Sequence, residues 1–86
     1  MNFFLTTAFQ KRAKKLCQKD PLLRVALMKQ FALFQTNDRH PSLRLHKLKG
    51  KRSTQCAIWI KDDLRAIAIR SGDHYIFYDL ITHDDY

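Results

Sequence analysis

An 86-residue chain has room for one core, so a single domain over residues 1–86 is expected. A hydrophobic content of 45% excludes a disordered chain, and no apolar run approaches the ~20 residues of a membrane-spanning helix. Sixteen Lys and Arg against eight Asp and Glu leave a formal charge of +8, which favours a polyanionic partner, either nucleic acid or an acidic protein. Cys17 and Cys56 form neither a disulfide framework nor a metal-type spacing, so a reducing, cytoplasmic setting is expected. The apolar run in residues 1–9 lacks the basic start and cleavage site of a secretion signal.

Asn2–Leu5 reads as a short strand, with Thr6 or Thr7 placed to cap a helix. From about Thr7 to Gln18, Phe9, Ala13, Leu16 and Cys17 recur on one helical face, while Lys11, Arg12, Lys14 and Lys15 cover the rest. Asp20-Pro21 punctuates the chain: a capping carboxylate precedes proline at the first helical position, where its missing N–H costs nothing. The second helix is expected to reach about Gln35 or Thr36 on a stripe of Leu23, Leu27, Phe31 and Phe34, widened by Ala26 and Met28. So short a connection predicts an antiparallel helix pair. Asn37-Asp38-Arg39 ends it, and Pro41 disfavours helical geometry at His40.

His40 to Gly50 interleaves His40, Arg44, His46, Lys47 and Lys49 with three leucines. The stretch fits a solvated basic sheet edge, where lysines discourage edge pairing, or a surface that grips an anion. After the basic loop Lys51-Arg52-Ser53-Thr54, strands are expected over Cys56–Ile60, Leu64–Ile69 and Tyr75–Ile81. Their connections, Lys61-Asp62-Asp63 and Ser71-Gly72-Asp73, are of hairpin length. With a further strand near His46, this is an α+β fold: two N-terminal helices packed on a twisted antiparallel sheet of about four strands.

Pairing Arg70 with His74 sets Arg65 opposite Asp79, and a similar count puts Trp59 near Arg65. This row across three strands reads in two ways. Arg65 clamps a phosphate while Trp59 stacks a base, or Arg65 and Asp79 form a structural ion pair beside a core tryptophan. Thr82-His83-Asp84-Asp85-Tyr86 carries the ingredients of general acid–base chemistry, and equally fits a polar tail. The histidines make no metal-ligand pattern, so neither a metal site nor a cofactor is expected.

Five motifs stand in order: Phe9-x-Lys11-x-x-Lys14-x-Leu16, Asp20-Pro21, His40-Pro-Ser-Leu-x-x-His46-x-Leu-Lys-Gly50, Asp63-Leu64-Arg65 and Thr82-His83-Asp84. Together they resemble the RelE/ParE toxin superfamily over nearly the whole chain, nearest its RelE- and YafQ-like branch. The resemblance implies the toxin of a type II toxin–antitoxin system: a metal-independent, ribosome-dependent mRNA endoribonuclease that inhibits translation. It implies a cytoplasmic protein, no membrane partner, and an acidic antitoxin that wraps the toxin, as in a heterotetramer. Carried over by position, Arg65 matches the phosphate-stabilising arginine and His83 the acid after the last strand. His46, Lys47 and Lys49 match the segment that grips RNA, joined by His40. The catalytic set is then Arg65, His83, His46 and Tyr86, with RNA contacts from His40, Arg44, Lys47, Lys49, Lys51, Arg52 and Trp59. There are departures: Ile81 stands where relatives often have glycine, and Tyr86 comes one place earlier than their terminal aromatic. Trp59 occupies a position where YafQ-like relatives can carry a catalytic histidine. The alternatives are a ParE-like inhibitor of DNA gyrase without nuclease chemistry, which His46, His83 and Lys-Leu-Lys-Gly argue against, and a catalytically inactive RNA-binding relative.

Overall fold

In the computed structural model, which describes residues 2–48 and 55–82, two helices follow a first strand and precede the rest of the sheet. The order is β1 (Asn2–Leu5), α1 (Thr7–Lys19), α2 (Pro21–Thr36), a 3-10 turn (Pro41–Leu43), β2 (His46–Lys47), β3 (Gln55–Lys61), β4 (Leu64–Ser71) and β5 (His74–Thr82). Thr6 caps α1, its Oγ1 accepting the Phe9 N–H at 3.1 Å. Asp20 serves both helices. Its N–H donates to the Leu16 carbonyl at 3.0 Å, and its carboxylate accepts the Leu22 N–H at 3.2 Å.

The expected α+β fold of two helices on a sheet is present; among the described residues the sheet has five strands, in the order β1-β5-β4-β3-β2, one more than the about four expected, and one of its pairs is parallel. β1 runs parallel to β5, and the remaining pairs are antiparallel. Parallel neighbours need a long crossover, and the α1–α2 hairpin is part of one. Its start is tied down where the Thr6 N–H donates to the Phe77 carbonyl at 3.0 Å.

Alternation divides the sheet into two faces. On one, Phe9, Leu23, Leu27 and Phe34 from the helices meet Cys56, Ile58, Ile60, Ala66, Ala68, Tyr75, Phe77 and Leu80. Phe77 is at the centre, with the Phe31 ring 4.9 Å away and the Phe34 ring 5.3 Å away, both edge-on. Met28 is not part of this core: it is 65% exposed, because it lies about 100° around the helix from Leu27. Among the described residues no helix covers the opposite face, yet Leu48, Ala57, Ile67 and Ile81 are buried there, with Tyr78 packed against them. Among the described residues, no helix is long and apolar enough to cross a membrane.

The expected register between β4 and β5 is corrected by two single-residue shifts. The turn is tighter, with Ser71 opposite His74 and only Gly72-Asp73 between them; Gly72 supplies the φ of +61°. A bulge then leaves Tyr78 unpaired between Phe77, opposite Ala68, and Asp79, opposite Ile67. Arg65 therefore faces Ile81 and not Asp79.

Candidate nucleic-acid interface

Since Cys56, Ile58 and Ile60 fill the helix-covered core, Trp59 must project from the other face of β3. Arg65 is its partner on β4, and Ile81 is the partner of Arg65 on β5. The row across three strands exists, with Ile81 in the place expected for Asp79. Arg44 reaches it from the side. The 3-10 turn ends with Arg44 in the left-handed region, φ 50°, and its guanidinium carbon lies 4.9 Å from the centre of the Trp59 ring. A cation over an indole face is attracted by the ring quadrupole, so each side chain orients the other.

The β3–β4 turn holds the pair from beneath. The Asp62 carbonyl accepts the Trp59 indole N–H at 2.7 Å and an Arg65 Nη1 hydrogen at 3.3 Å. Arg65 Nη1 also donates to the Leu64 carbonyl at 3.4 Å. Among the described residues, Nε and Nη2 of Arg65 have no partner and no carboxylate lies within ion-pair distance. The Arg65–Asp79 ion pair, one of the two readings of the row, is not formed: the register sets Asp79 opposite Ile67, and Asp79 is engaged elsewhere. Its carboxylate lies 3.5 Å from Arg12 Nε on α1 and accepts the Leu80 N–H at 2.8 Å. Arg65 is thus a half-buried, anchored guanidinium whose charge no acid neutralises among the described residues.

Sequence reasoning missed Gln30, a support for this arrangement. It is 2% exposed, and its side-chain amide donates to the Ser42 carbonyl at 3.1 Å and the Trp59 carbonyl at 2.9 Å. α2 is thereby fastened to the turn that delivers Arg44 and to the strand that carries Trp59. The signal was a lone amide spaced with Leu23, Leu27 and Phe34 on one helical stripe.

His46 lies on β2 opposite Ala57, on the same face as the row. Its Nδ1 is 2.9 Å from the Arg44 carbonyl, which can only accept, so in the neutral ring Nε2 is the basic nitrogen. His40 is placed differently: its Nδ1 accepts the Ser42 N–H at 3.2 Å and caps the 3-10 turn. Lys47 pairs with Cys56 and so lies on the other side of the edge from Trp59 and Arg65. The structure gathers Arg44, His46, Trp59 and Arg65 and leaves His40 and Lys47 outside that group. Lys49, Lys51, Arg52, His83 and Tyr86 lie outside the described residues. Thr82 stands opposite Leu64, so β5 carries the chain to the Arg65 end of the sheet.

Solved structures with a similar architecture include several toxins. YafQ from E. coli superposes with a TM-score of 0.75 at 17% identity, covering 98% of this chain and 94% of that one. The YoeB/ParE toxin from Agrobacterium tumefaciens gives 0.77 at 13% identity, covering 96% and 99%. The toxin–antitoxin complex of E. coli DinJ and YafQ gives 0.73 at 19% identity, covering 98% and 93%. No protein-family model matches the chain, and no curated protein matches it by sequence. At these identities the likeness is one of fold, and the fold is that of the RelE-like toxins. YafQ, whose branch the motifs resemble, is among the structures of similar fold.

Proposed function

We propose that this chain is the toxin of a toxin–antitoxin pair and cleaves mRNA as a metal-independent endoribonuclease. The observation that carries the reading is Arg65, anchored through Nη1 with Nε and Nη2 left for an anion, beside a tryptophan face already suited to a cation or a base. In the reaction a ribose 2′-oxygen attacks the adjacent phosphorus and the bond to the 5′-oxygen breaks. A base takes the 2′-hydroxyl proton and an acid gives one to the departing oxygen, leaving a cyclic phosphate and a 5′-hydroxyl end. Arg65 stabilises the charge that gathers on the phosphoryl oxygens. His46, through Nε2, and His83 are the proton carriers, since an imidazole can both take and give a proton. Tyr86, Lys49, Lys51 and Arg52 stay in the proposed site on the strength of the resemblance alone. The toxin acts in the cytoplasm on ribosome-bound message, and an acidic antitoxin neutralises it in a heterotetramer, covering Arg65 and the Lys47–Lys49 segment. The DinJ–YafQ complex supports an antitoxin partner for this fold.

Sequencing RNA 5′ ends after induction of the chain in growing cells tests the activity. New 5′-hydroxyl ends within coding sequences are expected, and their absence together with altered DNA supercoiling would move the protein to the gyrase-inhibitor class.

A further inference from the structure

On the helix-covered side, at the end of the sheet away from Trp59, lies a cleft of about 550 Å³ that shares His46, at its edge, with the proposed cleavage site. Its floor is Tyr75 and Cys56, 3% and 7% exposed, with Leu45 beside them. Its rim carries Arg39, Lys47 and Arg70, all exposed, and none of the three is in a salt bridge among the described residues. The Arg70 guanidinium is held: Nε donates to the Gly72 carbonyl at 3.3 Å, and its carbon lies 5.6 Å from the centre of the Tyr75 ring. Tyr75 is itself fixed edge-on against Phe34, with centroids 5.0 Å apart. The floor is therefore preformed, and it presents a flat guanidinium backed by an aromatic ring.

We propose that this cleft binds one nucleotide of single-stranded RNA, a subsite for a base and its phosphate on the opposite side of the sheet from Arg65. A phosphate alone would not fill it, because the volume lies within the range of small-molecule sites. Single-stranded RNA is recognised by stacking bases on aromatic rings or arginine planes and by cations on the backbone, and the cleft offers both. His46 connects the two places: it lines the cleft and lies on β2 within two residues of Arg44, which covers Trp59. A strand held at Arg65 would reach the cleft by crossing the β2 edge. The cleft is no thiol site, since burial pushes Cys56 up to about 11, with Arg70 opposing. This deepens the RNA reading and rests on it, but binding can be measured without cleavage.

The test is amide NMR of the full chain titrated with 5′-AMP, with inorganic phosphate and with a short glutamate-rich peptide, for wild type and for Arg39→Gln/Arg70→Gln. AMP is expected to shift Leu45, Cys56, Gly72 and Tyr75, at least tenfold more tightly than phosphate, and the double variant is expected to lose those shifts while keeping its fold. Equal affinity for phosphate would overturn a nucleotide subsite, as would AMP shifts confined to Trp59 and Arg65. A peptide that binds more tightly than AMP would reassign the cleft to a protein partner. With a non-cleavable 2′-deoxy-substituted strand, the double variant should flatten the salt dependence by roughly 0.7 log units per lost phosphate contact. An unchanged slope would overturn the proposal. A chain that fails to cut RNA but keeps the AMP shifts would sink the nuclease reading and leave this one standing.

Discussion

The two faces of one sheet answer to different chemistry. Under the helices, aromatic rings and aliphatic chains exclude water, and Gln30, the buried polar side chain among the described residues, has both amide bonds directed at backbone carbonyls. On the open face a small apolar patch of Ala57, Ile67 and Ile81 lies among Arg44, His46, Trp59 and Arg65. The covered face spends its side chains on holding the fold. The open face leaves a guanidinium without a countercharge among the described residues, an arrangement that adds little stability and suits a ligand that brings its own charge. Stability and activity should therefore separate by face, and substitutions can test that division.

The largest effect is expected at His83. His83→Ala should slow cleavage about 10²–10⁴-fold, roughly 3–5 kcal/mol of barrier, with folding unchanged. Single-turnover kinetics on a defined RNA would measure it, and a near wild-type rate would send the search for the acid to Tyr86, His46 and Lys49. On the covered face, Phe77→Ala should cost about 3–5 kcal/mol of stability, as losses of a buried ring commonly do. Denaturant titration checks this, and loss of activity there would follow loss of fold.

A smaller change sharpens the boundary between the faces. Gln30→Leu keeps the size and removes both donors, leaving the Ser42 and Trp59 carbonyls without them. The expected cost is about 1–3 kcal/mol. The altered setting of Trp59 should show in its fluorescence, and an unchanged spectrum would contradict the support assigned to Gln30. The smallest effect is at Asp20. The Lys61 ammonium, 3.1 Å away, holds its carboxyl below the usual value, aided by the Leu22 and Leu23 N–H groups and opposed by desolvation. A carboxyl depressed in the folded state contributes stability above its unfolded pKa, and that contribution is lost as pH falls through the folded value. Lys61→Met should make the melting temperature less sensitive to acid below about pH 4. Because both groups meet solvent, the difference should be small.

Local signals in the sequence were faithful where the cause was local. Asp20-Pro21 marked the helix junction because capping is a contact between near neighbours, and the apolar stripe of α2 marked its buried face apart from Met28. The pairing of Trp59 with Arg65 was also legible, from a short turn and strict alternation. What escaped was set by distant parts of the chain. No local pattern reveals that β1 lies parallel to β5, and alternation cannot anticipate the extra residue at Tyr78. The tighter β4–β5 turn and that bulge together decide the main ambiguity of the sequence, between a neutralised arginine and an available one.

The central claim is that Arg65 is held for an anion and not for the fold. The direct measurement is Arg65→Ala, with single-turnover cleavage and thermal unfolding followed on the same preparation. Cleavage should fall about 10²–10³-fold, the usual worth of one preorganised charge donor, while the melting temperature stays within a degree or so of wild type, as for a side chain outside the core. A rate that holds, or one that falls only in step with the melting temperature, would contradict the account.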